Sequence, residues 1–216
     1  LSSIKGLLTY LVNQDQLESN CAVQLRTPKI VQNLPSVLNY EQLLQLLKAS
    51  STSRFEYRDV AIIEVLYSCG LRVAELVGLD VSDVDLSEGF LKVVGKGGKT
   101  RHTPLGGSAQ KAIIKYLETH QASALFINKN GDRIGVRSIQ NMIKKRALLA
   151  GIKVNVYPHM LRHAAATHFL QSSHDLRSTQ EFLGHASIKS TQVYTHLDFL
   201  ELSKVYDKCH PRAKKT

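Results

Sequence analysis

The hydrophobic pattern of this sequence changes its period most clearly in a glycine-rich stretch, residues 89–104. Two runs suited to β-strands, 90–94 and 100–105, flank the turn at 95–99. Two such runs joined through glycines predict a β-hairpin. Elsewhere the apolar residues recur mainly at helical spacing. We therefore predict an α+β fold, a mainly α-helical domain with one small antiparallel β-sheet.

The chain divides at a proline-containing segment, 26–35, which we interpret as an extended linker between residues 1–25 and residues 36–216. Asn39 and Gln42 form a plausible capping box at the start of the second part. The remaining pattern predicts helices at about 1–13, 40–49, 54–69, 72–78, 108–121, 136–150, 158–171, 175–183, 187–196 and 198–209, with a short strand at 125–127.

Composition favours a nucleic-acid partner. The 216 residues include 28 Lys and Arg against 18 Asp and Glu, a net charge of +10, and a basic surface is typical of proteins that bind phosphates. Three widely spaced cysteines indicate neither a disulfide framework nor a zinc knuckle, so we expect a cytoplasmic protein. The longest apolar region, 60–79, contains charged residues, which argues against a membrane span.

Arginine, histidine and tyrosine residues near the C-terminus suggest phosphoryl chemistry. His159 and Arg162 are three residues apart and would share a helix face, and His185 and Tyr194 follow. A guanidinium fits two phosphate oxygens at once, and an imidazole moves protons near neutral pH. A tyrosine hydroxyl becomes a nucleophile when its proton has a destination. We infer attack by a tyrosine on a phosphodiester.

These residues lie in motifs that resemble those of the tyrosine recombinases. The motifs are His-Met-Leu-Arg-His at 159–163, Leu-Gly-His at 183–185, Gln-Val-Tyr-Thr-His at 192–196 and Gly-Leu-Arg-Val-Ala-Glu-Leu at 70–76. The resemblance covers the chain from about residue 1 to its end. It implies the DNA breaking-rejoining catalytic domain at 36–216. Residues 1–25 would then be the end of an N-terminal helical, DNA-binding domain that mostly precedes this sequence.

The resemblance implies six catalytic residues: Arg72, Lys96, His159, Arg162, His185 and the nucleophile Tyr194. Glu75, one turn after Arg72, would support that arginine. Composition alone does not choose between Lys96 and Lys99 as the proton donor, because both lie in the glycine-rich turn; the resemblance favours Lys96. A 3′-phosphotyrosyl intermediate conserves the energy of the cleaved bond. The resemblance therefore implies neither metal nor ATP.

The tail at 205–214 resembles the branch of the family that resolves chromosome dimers at cell division. The implied partners are a double-stranded DNA recombination site, a related recombinase in a heterotetramer and a DNA translocase or other cell-division protein, all on the nucleoid. Alternatives within the class are a phage or transposon integrase and a type IB topoisomerase. A non-catalytic DNA-binding protein and a metal-dependent nuclease are the alternatives from other classes.

Two further features carry predictions. Phe199, Leu202, Val205 and Tyr206 form an apolar stripe on the last helix, which packs either on its own core or on a neighbouring protomer. The resemblance favours exchange between protomers. His174 stands where relatives often have glycine between two helices, so we expect a residue with positive φ and local strain there.

Overall fold

The computed structural model describes residues 2–25, 37–49, 54–95, 98–184 and 196–213. The chain forms two compact units, Leu1–Pro35 and Ser36–Thr216. The predicted linker, the predicted helix at 187–196 and the side chain of Phe199 lie outside the described residues. Of the helices that are described, none is both long and apolar enough to cross a membrane.

The first unit contains helix α1, Ser2–Asn13, followed by an irregular segment at 14–25. Lys5 ties the two together, because its Nζ donates hydrogen bonds to the backbone carbonyls of Val23 at 3.1 Å and Leu25 at 2.7 Å. Asn20 adds a second tie, donating from Nδ2 to the backbone carbonyl of Lys5 at 3.1 Å.

The second unit carries eight helices and three strands within its described part. They are α2 Tyr40–Lys48, α3 Glu56–Ser68, α4 Val73–Val77, β1 Val84–Asp85, β2 Phe90–Val94, β3 Thr100–Pro104, α5 Gly107–Leu117, α6 Val136–Leu149, α7 Pro158–Ser173, α8 Leu176–Leu183 and α9 His196–Cys209. A single 3₁₀ turn, Val81–Asp83, precedes β1. The predicted α+β class is confirmed.

Helix α3 is the centre of the core. Every residue from Ala61 to Ser68 is buried, so this helix is enclosed on all sides rather than along one stripe. Helices α5 and α7 make its most extensive helical contacts. The chain leaves this helix through Gly70, just beyond its C-cap, whose φ of +56° is one that an L-residue rarely adopts. This left-handed residue directs the chain towards Arg72.

The sheet is antiparallel with strand order β1-β2-β3. In the predicted hairpin Val93 pairs with Arg101 and Leu91 with Thr103. Leu91, Val93 and Thr103 are buried, while Lys92 and His102 face outwards, as the two-residue period of a strand requires. Arg101 therefore lies on the inward face of β3.

The predicted strand at 125–127 is wrong. The structure has only isolated bridges there, Asp80 with Ala124 and Ile127 with Arg133. The backbone of residues 124–127 makes only single hydrogen bonds to neighbouring segments. Leu125 N–H, for example, donates to the carbonyl of Leu79 at 3.0 Å. The apolar residues of this segment are buried without forming a continuous ladder.

Two local predictions at helix ends are confirmed. Asn39 caps α2, its Oδ1 accepting from Gln42 N–H at 2.8 Å, and the Gln42 side chain accepts from Asn39 N–H at 3.1 Å. His174 ends α7 in the left-handed region with φ 55°. A histidine there carries conformational strain that a glycine would not.

Within this single chain α9 packs on its own core, one of the two alternatives above, and its exchange between protomers stays a prediction. Leu202 and Tyr206 are buried within the same unit, and α9 packs against α7, α8 and β3. The Tyr206 ring lies 5.9 Å from that of Phe182 and stacks on His210 at 4.6 Å. The described part of the stripe, Leu202, Val205 and Tyr206, is therefore packed against its own chain.

Candidate active site

Arg72 stands at the N-terminus of α4, as the sequence predicts, with its side chain 48% exposed. Its guanidinium Nη1 donates to Glu75 Oε1 at 2.9 Å, and its backbone N–H donates to Glu75 Oε2 at 2.8 Å. One carboxylate thus fixes both the backbone and the side chain of Arg72. The rest of the guanidinium remains open to solvent.

Arg162 is almost completely buried in α7, with 5% of its side chain exposed. Its Nη1 donates to the backbone carbonyl of Gly70, and its Nη2 donates to that of Leu183 at 2.8 Å. Burial, together with the neighbouring charges of Arg72 and Arg101, lowers the pKa of Arg162 to about 10, although Glu75 opposes the shift. The side chain therefore stays cationic at neutral pH.

Glu75 is the shared acid of the cluster. Besides Arg72 it accepts from Arg101, Nη1 to Oε1 and Nη2 to Oε2, both at 3.0 Å, and Arg162 Nη1 lies 3.9 Å from Oε2. Burial raises the pKa of this carboxyl group, but the hydrogen bonds from Arg101 and from the Arg72 backbone outweigh it and hold the pKa below its usual value. Glu75 is therefore an ionised carboxylate whose two oxygens both accept hydrogen bonds from arginines, which is compatible with the supporting role predicted for it.

The sequence reasoning missed Arg101. Its signal was the alternation along β3, which places Arg101 on the same inward face as buried Thr103. A cation on an inward strand face needs a buried anion. Glu75 was the available acid in the otherwise apolar α4, but the pairing spans 26 residues of sequence and depends on the tertiary fold.

Of the other predicted residues, the structure describes His159 and does not describe the remaining three. His159 lies exposed in the first turn of α7, one turn before Arg162, and His163 is also exposed. Lys96, His185 and Tyr194 lie outside the described residues. The residues directly before Lys96 and His185 are described: Gly95 N–H donates to the carbonyl of Lys99 at 2.8 Å, and Gly184 follows α8 with φ +63°.

Known proteins with similar sequences and structures bear on this arrangement. The chain matches the phage integrase family over residues 36–201. It is 44% identical over 224 residues to the tyrosine recombinase XerC of Alcanivorax borkumensis, covering all of this chain and 73% of that protein. A crystal structure of XerA recombinase is 35% identical, with a TM-score of 0.67, over 83% of this chain and 67% of that one. A XerH recombinase bound to a palindromic difH substrate, in a post-cleavage complex, is 26% identical, with a TM-score of 0.71, over 94% and 64% of the two chains.

The mainly helical unit with its small sheet is thus the fold of a DNA breaking-rejoining catalytic domain. The chain belongs to the phage integrase family. Its relatives are tyrosine recombinases, and its activity is the site-specific breaking and rejoining of DNA strands.

Proposed function

We propose that Tyr194 is the nucleophile of this chain and that Arg72, Lys96, His159, Arg162 and His185 act with it. The Tyr194 oxygen forms a bond to the scissile phosphorus while the bond from phosphorus to the 5′-oxygen breaks. Lys96 gives a proton to that leaving oxygen, and His159 assists removal of the tyrosine proton. His185 donates a hydrogen bond to a phosphate oxygen. A 5′-hydroxyl from a partner duplex then reverses the step and exchanges strands.

The charge around Glu75 is the observation that carries this proposal. Three guanidiniums, of Arg72, Arg101 and Arg162, surround that one carboxylate, so two positive charges are uncompensated in the described part of the site. Preorganised positive charge of this kind stabilises the additional negative charge of a pentacoordinate phosphorus. Arg72 is open to solvent and can reach a phosphate directly, whereas Arg162 fixes the segments that carry the other residues.

The biological role that we propose is the resolution of chromosome dimers at cell division. The substrate would be a double-stranded recombination site, and the assembly a heterotetramer with a related, XerD-like recombinase on the nucleoid, under the control of a DNA translocase or other cell-division protein. The 44% identity to a XerC protein and the DNA-bound XerH neighbour support this role. The net charge of +10 fits a DNA partner.

A covalent-trapping experiment tests the chemistry. The chain is incubated with nicked recombination-site DNA, and the protein–DNA adduct is quantified after denaturation. Tyr194→Phe removes only the hydroxyl, so we expect unchanged DNA binding and no adduct. Tyr157→Phe is the matched control, because Tyr157 is exposed beside the first turn of α7 and should leave the adduct yield unchanged. An adduct of undiminished yield with Tyr194→Phe excludes that residue as the nucleophile.

A further inference from the structure

We propose that Arg101 is a positioning residue of this site, which holds in place the segments that carry Lys96 and His185. The inference rests on the roles proposed above for these two residues. It concerns a residue that none of the sequence motifs contains. Arg101 is on β3 with 11% of its side chain exposed, and its guanidinium spans both oxygens of Glu75.

The first segment is the hairpin turn. A Cβ atom on Gly95 would lie 3.4 Å from Arg101 Nη1 and 4.0 Å from Glu75 Oε1. The backbone directly before Lys96 thus packs on the ion pair. Gly95 N–H also closes the hairpin by donating to the Lys99 carbonyl at 2.8 Å. Gly95, the last described residue before Lys96, is therefore held by the Arg101–Glu75 pair.

The second segment is the end of α8. A Cβ on Gly184 would lie 2.6 Å from Arg101 Nε and 2.7 Å from its Cδ, so no other residue fits at this position without displacing the arginine. The φ of +63° independently favours glycine. The backbone directly before His185 therefore rests on the same guanidinium that supports Gly95.

The shape of the guanidinium is essential to this arrangement. A planar fork donates to two carboxylate oxygens in parallel and still presents a flat face for packing, whereas a lysine ammonium is a compact point charge. Arg101→Lys would keep the charge and lose the fork. We expect both glycine segments to lose their support while the net charge of the site is unchanged.

Arg146 provides a matched control. It is also buried and also forms a fork, donating to Glu56 Oε2 at 2.9 Å and Oε1 at 2.7 Å. Glu56 begins α3, whereas Gly70 follows the other end of that helix, about 20 Å away. Arg146→Lys therefore makes the same chemical change in an ion pair that is remote from the site.

The decisive experiment compares single-turnover cleavage of ordinary DNA with cleavage of DNA that has a 5′-bridging sulfur. A thiolate leaves without a proton, so sulfur restores variants in which proton delivery by Lys96 is lost. We expect Arg101→Lys to cleave ordinary DNA about 10²-fold more slowly, the usual cost of one preorganised donor, and to recover most of that rate with sulfur, as Lys96→Ala does. Arg146→Lys should have a lower Tm and the sulfur-to-oxygen rate ratio of the unaltered chain. If Lys96→Ala is rescued and Arg101→Lys shows the unaltered ratio, the proposal is overturned.

A second measurement separates this proposal from the assignment of Lys96. Hydrogen exchange of backbone amides, without DNA, should become faster in Arg101→Lys both at 95–99 and at 184–186. Arg146→Lys should leave both segments unchanged. Unchanged exchange in Arg101→Lys would overturn the positioning role. Failure of sulfur to rescue Lys96→Ala would instead overturn the proton-donor role proposed for that lysine.

Discussion

The Tyr206 hydroxyl donates a 3.0 Å hydrogen bond to the backbone carbonyl of Ser68 and lies 2.6 Å from the hydroxyl of the same serine, 138 residues away in the chain. The contact joins α9 to the end of the central helix α3. A Cβ on Gly106 would come within 2.7 Å of this hydroxyl, so the start of α5 closes on the same point. The C-terminal helix thus completes the core.

Shortening Leu202 should therefore destabilise the second unit. Leu202 is 7% exposed on α9, and we expect Leu202→Ala to lower the free energy of unfolding by about 2–4 kcal/mol through lost burial and a residual cavity. Lys204→Ala, at an exposed position on the same helix, should change it by less than about 0.5 kcal/mol. Urea unfolding measures both. Equal stability of the two variants would show that α9 does not belong to its own core in solution.

Glu75 should make the stability of the chain pH-dependent. Its pKa is lowered in the folded state, so its contribution is fully present above the unfolded pKa of about 4.3 and is lost as the pH falls through the folded value. At pH 7 we expect Glu75→Gln to cost about 3 kcal/mol, because buried arginines lose their anion. Urea unfolding between about pH 3 and pH 7 should show this difference shrinking below about pH 4.3. A difference that is constant with pH would contradict the ion-pair explanation.

DNA affinity should fall steeply with salt. The excess of 28 basic over 18 acidic residues replaces counterions on the phosphates. For about six phosphate contacts, log Kd should change with log salt concentration with a slope of about 5. Fluorescence anisotropy on a labelled duplex measures this slope. An affinity that does not depend on salt would exclude phosphate contacts as its main source.

Replacement of His174 by glycine should stabilise the chain. The left-handed conformation at φ 55° costs a non-glycine residue about 1–2 kcal/mol. Glycine avoids this cost, but its larger conformational entropy in the unfolded chain offsets part of the gain. We expect a net gain of up to about 1 kcal/mol in thermal unfolding. Ser172→Gly, in the last turn of α7, is the control and should cost about 0.5–1 kcal/mol. Destabilisation by His174→Gly would mean that the imidazole makes a compensating contact.

Local chemistry explains which features the sequence could predict. The capping box at Asn39, the left-handed residue at Gly70 and the start of α4 at Arg72 depend on neighbouring residues, and all were predictable. Arg101 depends on a partner that only the fold brings near. The stripe on α9 predicts burial but does not specify the chain that covers it, so the sequence left both its own core and a neighbouring protomer open. The roles of Lys96, His185 and Tyr194 stay predictions.

Arg162 also joins the ends of two helices through one side chain. Its guanidinium holds Gly70 and Leu183, which are 92 and 21 residues away in the chain, through their backbone carbonyls. Those bonds form only when α7 has docked against the ends of both α3 and α8. In a chain in which α7 has not docked, Gly70 and Leu183 therefore lack this common support. The same two bonds of Arg162 therefore complete the core and fix the ends of α3 and α8 relative to each other.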